Sequence, residues 1–174
     1  MATFTLLNRV LLSLDRKNFV GGLFCDLHKS SDCINHDILL AKMEYCGIYG
    51  IVNKLMRPYL ENRYSRISMK DSKFNKVYSK WEHVQHGVPQ GCVLGPLLFL
   101  IYINDFSSII SKIANPALFV DDMNIIISHT DPEEFKNNIN MVLIETFNWF
   151  QSNFLTLNCD KTHFFQFLTK NTMK

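Results

Sequence analysis

Pro116-Ala117-Leu118-Phe119-Val120-Asp121-Asp122-Met123-Asn124-Ile125-Ile126-Ile127-Ser128 holds two β-rich runs, 116–120 and 123–128, with two aspartates between them. The pattern predicts a tight hairpin with Asp121 and Asp122 at its tip. Adjacent carboxylates repel each other, and a turn gives no structural reason for both. A Mg²⁺ site built from one or two carboxylates and substrate phosphates explains the pair. Read alone, Asp-Asp is also ordinary turn chemistry.

Outward from the hairpin, Phe19 to Leu27 is a second apolar run, in which Phe24 and Cys25 lead to Asp26. Such a strand can lie beside the hairpin in one antiparallel sheet. Carboxylates on neighbouring strands then converge on a pair of cations about 3.5–4 Å apart, which activate an attacking hydroxyl and neutralise a departing pyrophosphate. By itself, an aspartate after a strand also serves as a helix cap. A third feature is Gly87-Val88-Pro89-Gln90-Gly91-Cys92-Val93-Leu94-Gly95-Pro96, a Gly- and Pro-punctuated loop feeding an apolar helix. A loop of this composition lets backbone approach a flat ligand closely.

The remaining pattern fills in the fold. Phe4, Leu7, Leu11 and Leu14 recur at helical spacing. Helices are predicted over 37–46, closed by Gly47, over 51–60, bent or ended by Pro58, and over 96–110. Residues 63–69 and 76–84 read as strands around a polar turn. Asp131, Pro132 and Glu134 form a helix start, and the helix runs towards Phe150. Residues 162–168 close with a strand. Strands and helices alternate irregularly, without linker or repeat, so one α+β domain over residues 1–174 is expected.

The 174 residues carry 18 Lys and Arg against 16 Asp and Glu, a net charge of +2. The distribution is more informative than the sum. From Lys54 to Lys80 there are eight basic residues and two acids, 8 − 2 = +6, which leaves −4 elsewhere. Tyr59, Tyr64, Phe74, Tyr78 and Trp81 thread this stretch, which could track a phosphate backbone or be a solvated hairpin with cross-strand aromatics. Five scattered cysteines give neither a disulfide framework nor a zinc pattern, so a reducing, intracellular compartment (nucleus or cytoplasm) is expected. No signal peptide, transmembrane span or membrane partner is expected.

Four strings in order resemble the reverse transcriptases of LINE-type (non-LTR) retrotransposons. Asp26-Leu27-His28-Lys29-Ser30-Ser31-Asp32 with Asn35-His36-Asp37-Ile38-Leu39-Leu40 resembles motif A. Gly87 to Pro96, continuing into Tyr102-Ile103-Asn104-Asp105, resembles motif B. Phe119-Val120-Asp121-Asp122 resembles motif C, and Asn153-x-Leu155-x-Leu157-Asn158-x-x-Lys161-Thr162 resembles motif D. Order and spacing match as far as about Phe167.

The resemblance implies an RNA-directed DNA polymerase: a palm-like antiparallel sheet with helices packed on one face, fingers largely missing and thumb absent. Asp26, Asp121 and Asp122 would hold Mg²⁺ or Mn²⁺ and catalyse transfer of a deoxynucleotide from dNTP to a primer 3′-hydroxyl. Lys161 would serve the leaving pyrophosphate. Lys29, Ser31, Pro89, Gln90 and Gly91 would shape the nucleotide and template pocket. The implied partners are an RNA template, a DNA primer and dNTP, with fingers and thumb supplied by a longer polyprotein, and the isolated fragment is expected to be inactive. Ser31 stands where the family carries an aromatic, Val120 for alanine, and Cys92 for serine. A non-catalytic retroelement remnant or co-opted nucleic-acid-binding module is the alternative. An intron maturase shares the palm, but the 35–40 and 102–105 strings look more LINE-like.

Overall fold

The computed structural model opens with α1 (Ala2–Asp15), which packs through Leu6, Val10 and Leu14 while Leu7 and Leu11 stay exposed, ahead of the apolar strand β1 (Phe19–Cys25). The model describes residues 2–28, 30–72, 74–89, 91–119 and 122–169. α2 (His36–Tyr45) starts at Asn35, whose side chain accepts the Ile38 N–H, an ordinary N-cap. α3 (Ile51–Glu61) continues through Pro58 rather than ending there.

The two strands expected over 63–84 are shorter and paired in two pieces. β2 (Tyr64–Ser65), β3 (Ser68–Lys70), β4 (Lys76–Tyr78) and β5 (Glu82–His83) pair as β2 with β5 and β3 with β4. Between the pieces the Ile67 N–H donates to the Ser79 hydroxyl at 2.9 Å, while the Ser79 N–H donates to the Ile67 carbonyl at 3.0 Å. α4 (Leu94–Ile110) begins two residues before the expected Pro96. β6 (Asn115–Phe119), β7 (Asp122–His129), α5 (Pro132–Ser152) and β8 (His163–Phe167) complete the chain.

The main sheet has the order β6-β7-β1-β8, antiparallel throughout. β1 and β7 run in register from Phe19↔His129 to Cys25↔Met123. Residues alternate between faces, and directly opposed residues share one. On one face, Phe135 of α5 lies 6.1 Å from Phe19, ring to ring, and a Cβ on Gly21 would stand 3.1 Å from it. The same added atom would meet Phe164 at 2.6 Å, so glycine here lets two aromatic rings cover the strand. The antiparallel sheet with its helix cover is thus present, with one addition. α1 lies on the opposite face, where Val10 packs with Val20 and Ile126.

By its contacts the chain forms two compact units, residues 1–30 with 103–174, and residues 31–102. The first holds the four-stranded sheet, α1 and α5. The second holds α2, α3 and the short hairpin strands. α4 runs from the second unit into the first. Among the described residues no helix is long and apolar enough to cross a membrane.

The expected start of α5 is present in detail. Asp131 accepts the Glu134 N–H at 3.0 Å and Pro132 opens the helix. Asp131→Ala is expected to cost about 1 kcal/mol of stability, read as a lower unfolding midpoint in urea.

Candidate active site

Asp26 follows β1 directly, and Asp122 is the first residue of β7. Extending the β1–β7 register by one residue beyond Cys25↔Met123 sets Asp26 across from Asp122. Both then belong to the face that carries Val20, Gly22 and Ile126. Directly opposed side chains in an antiparallel pair stand about 5 Å apart, so two carboxylates at one rung repel unless a cation lies between them. They form a hard oxygen donor set of the kind Mg²⁺ and Mn²⁺ take. That chemistry fits a divalent ion.

Asp121, expected to be a principal ligand, lies outside the described residues, as do Lys29 and Gln90. Among the described residues, no group of three His, Cys, Asp or Glu side chains is arranged to hold a metal.

The chain beyond β1 is tied to the segment that precedes β8. The Asn158 N–H donates to the Asp26 carbonyl at 2.9 Å, and the His28 N–H donates to the Thr156 carbonyl at 3.0 Å. Leu27 and Leu157 form an antiparallel bridge between these two bonds. This short ladder brings two side chains to the Asp26 carboxylate. The Asn158 amide donates to Oδ2 at 2.9 Å, and Lys161 Nζ stands 3.7 Å from the same oxygen. The Lys161 side chain is 71% exposed, so the ion pair contributes at most about 1 kcal/mol. Cys25, next to Asp26, is buried, and burial pushes its thiol to about 12, so it remains protonated and inert.

The second unit holds the other expected pocket residues. The Ser31 carbonyl accepts the Val88 N–H at 2.9 Å and the Ile34 carbonyl accepts the Gly87 N–H at 2.8 Å. Asn35 and His86 form a bridge beside them. Ser31 is thereby fastened to the loop that leads to Pro89 and Gly91. The Gly87 carbonyl bonds the buried His36 ring at 2.9 Å and accepts from Arg63 at 3.2 Å.

Cys92 fills the role of a capping serine at the start of α4. Its thiol donates to the Pro89 carbonyl at 2.9 Å, and its sulfur accepts the Gly95 N–H at 3.1 Å and the Tyr59 hydroxyl at 3.5 Å. The Tyr59 bond, with the backbone N–H donors, lowers the thiol's pKa; that same bond raises Tyr59's.

The structure therefore brings Asp26, Asp122 and Lys161 together in one unit and Ser31, Pro89 and Gly91 together in the other. Sequence reasoning gave Asn158 no role, although it sits in the motif D string beside Lys161. The signal that could have found it is an amide-bearing side chain three residues before the lysine.

Two solved telomerase structures from Candida tropicalis share the fold. One, apo and truncated from the C-terminal domain, superposes with a TM-score of 0.66 at 16% identity, over 96% of this chain and 36% of that one. The other, in complex with a fragment of telomeric RNA, gives 0.67 at 14% identity, over 97% and 30%. The class is thus an α+β polymerase-palm-like sheet.

The chain belongs to the reverse transcriptase (RNA-dependent DNA polymerase) family, whose pattern matches residues 7–173. Its curated relatives in Drosophila melanogaster place it with the non-LTR retrotransposons. It is 27% identical over 166 residues to a probable RNA-directed DNA polymerase from transposon BS, and 32% identical over 100 residues to one from transposon X-element. These alignments take in 90% and 56% of this chain. It spans only 17% and 10% of those relatives' lengths. Reverse transcriptases as a family use divalent metal ions.

Proposed function

We propose that this chain is the palm-type catalytic module of an RNA-directed DNA polymerase, transferring deoxynucleotides to a primer 3′-hydroxyl on an RNA template. The observation that supports the reading is the β1–β7 register, which ends at Cys25↔Met123, one residue short of Asp26 and Asp122, beside the hairpin expected to present Asp121. Asp26, Asp121 and Asp122 would hold Mg²⁺, with Mn²⁺ as a substitute. The metal pair, when bound, activates the hydroxyl and offsets charge on the departing pyrophosphate.

The chain's own residues orient the reactants. Lys161, loosely paired with Asp26, would exchange that partner for a pyrophosphate oxygen. By the family resemblance, Ser31, Pro89, Gln90 and Gly91 would serve the nucleotide and template, with Lys29 in support. Phosphoryl transfer of this kind depends on positioning and charge neutralisation more than on covalent chemistry by the protein.

The test is primer extension by a longer polypeptide carrying these residues within the flanking segments of a transposon relative. Mg²⁺-dependent incorporation that falls about a thousandfold in Asp26→Ala and Asp121→Ala is expected. Undiminished incorporation in both variants would overturn the reading.

Ser31 supplies a second, narrower test. The Ser31 backbone is fastened beside the Pro89 loop, and its side chain is smaller than the aromatic ring the family has there. Ser31→Phe in the same polypeptide is expected to raise the preference for deoxynucleotides over ribonucleotides. Equal relative incorporation by the two forms would show the steric argument to be wrong.

The basic hairpin favours a second reading, a nucleic-acid-binding module without chemistry. The Arg66 guanidinium lies 4.0 Å from the Tyr78 ring centroid and 4.5 Å from that of Trp81. All three lie in an exposed hairpin that also carries Lys70, Lys76 and Lys80. Binding that is indifferent to Asp121→Ala, together with no extension in any polypeptide context, is the outcome this reading requires.

A further inference from the structure

We propose that Asn158 is the positioning residue for the Asp26 carboxylate, fixing which oxygen is left to bind metal; the proposal rests on the reading of Asp26 as a metal ligand. The side-chain N–H donates to Asp26 Oδ2 at 2.9 Å while the backbone N–H of the same residue donates to the Asp26 carbonyl at 2.9 Å. One residue thus grips both the main chain and the side chain of Asp26. Asn158 is itself held from behind. Its carbonyl accepts the Thr162 hydroxyl at 2.8 Å and the Lys161 N–H at 3.1 Å.

A carboxylate attached to a flexible carbon turns freely about its last torsion, because that torsion is broad rather than staggered. A bond to one oxygen removes that freedom and turns the other oxygen outward. The amide is suited to this task because it carries no charge. It orients the carboxylate without offsetting the negative charge that attracts a cation. Lys161 cannot do the same, since its ammonium approaches the same oxygen only to 3.7 Å, beyond direct hydrogen-bond distance, and is largely exposed. Groups that hydrogen-bond a metal ligand in this way typically change metal affinity about 10–100-fold when removed.

The test is Mn²⁺ binding to the 174-residue chain, followed by loss of the free-ion electron paramagnetic resonance signal. Asn158→Ala is expected to weaken binding about 10–100-fold. Asp26→Ala is expected to weaken it at least as much, and Asn158→Ala should add nothing further in the Asp26→Ala background. Additive losses would mean that Asn158 acts elsewhere and would overturn the proposal, as would unchanged affinity in Asn158→Ala beside a weakened Asp26→Ala. Unchanged affinity in Asp26→Ala would instead remove the metal-ligand reading, and the proposal with it. Should Asn158→Ala fail to fold, the unsubstituted chain still decides the matter. Substoichiometric Mn²⁺ is expected to broaden the Asn158 side-chain amide resonances, and sharp resonances at saturation would overturn the proposal.

Discussion

Gly87→Ala is expected to unfold or severely loosen the unit formed by residues 31–102, at a cost of about 3 kcal/mol or more. Two independent effects act at this position. The backbone has φ +81°, the left-handed region that an alanine enters only with strain. In addition, a Cβ there would lie 2.8 Å from the Asp32 Cα and carbonyl oxygen and 2.9 Å from the Ser31 carbonyl oxygen. All three obstacles are backbone atoms, so no rotamer change relieves them. The displacement would also disturb the bonds that the Gly87 carbonyl receives from His36 and Arg63. The readout is hydrogen exchange at the Gly87 and Val88 amides, whose protection should collapse while that of the β1 and β7 amides persists. Equal protection in the variant would show that the loop is not fastened as described.

The second large effect concerns the 174-residue chain on its own. It is expected to bind a template–primer duplex in a salt-sensitive manner but not to extend it by several nucleotides, with Mg²⁺ or Mn²⁺. Rate in such chemistry comes from holding the triphosphate and the primer end in line, and the chain spans 17% of the transposon BS polymerase that it matches. The exposed cations of the hairpin, Arg66, Lys70, Lys76 and Lys80, supply affinity without alignment. About four phosphate contacts would lower affinity roughly 10²-fold between about 50 and 200 mM salt. Electrophoretic mobility shift across that salt range measures the first part, and primer extension beside Asp121→Ala measures the second. Multi-nucleotide extension that disappears in Asp121→Ala would show that these residues suffice for alignment.

Much of the fold was legible because the relevant signals are local. The β-rich run at 123–128, the Asp131-Pro132-x-Glu134 start and the helical spacing of the α1 leucines each announce an element through its own residues. The start of α4 was less legible, because the side chain that caps it is a cysteine, which sequence rules do not weigh as they do serine. The division of the hairpin at 64–83 into two short pairs, with the Ser79 hydroxyl accepting the Ile67 N–H between them, is announced by no pattern. At the site, the resemblance named Asp26, Asp122 and Lys161, but the grip of Asn158 on Asp26 arises from pairing across 132 residues of sequence. Periodicity carries no information at that range.

The central claim is that Asp26, Asp121 and Asp122 share divalent metal. A crystal of this chain grown with Mn²⁺ and a deoxynucleoside triphosphate tests it most directly, through the ion's anomalous scattering. The account predicts anomalous peaks in contact with the carboxylates of Asp26 and Asp121, on one face of the sheet, and their loss in Asp121→Asn. Peaks elsewhere, or the Asp26 and Asp121 carboxylates on opposite faces of the sheet, would contradict it.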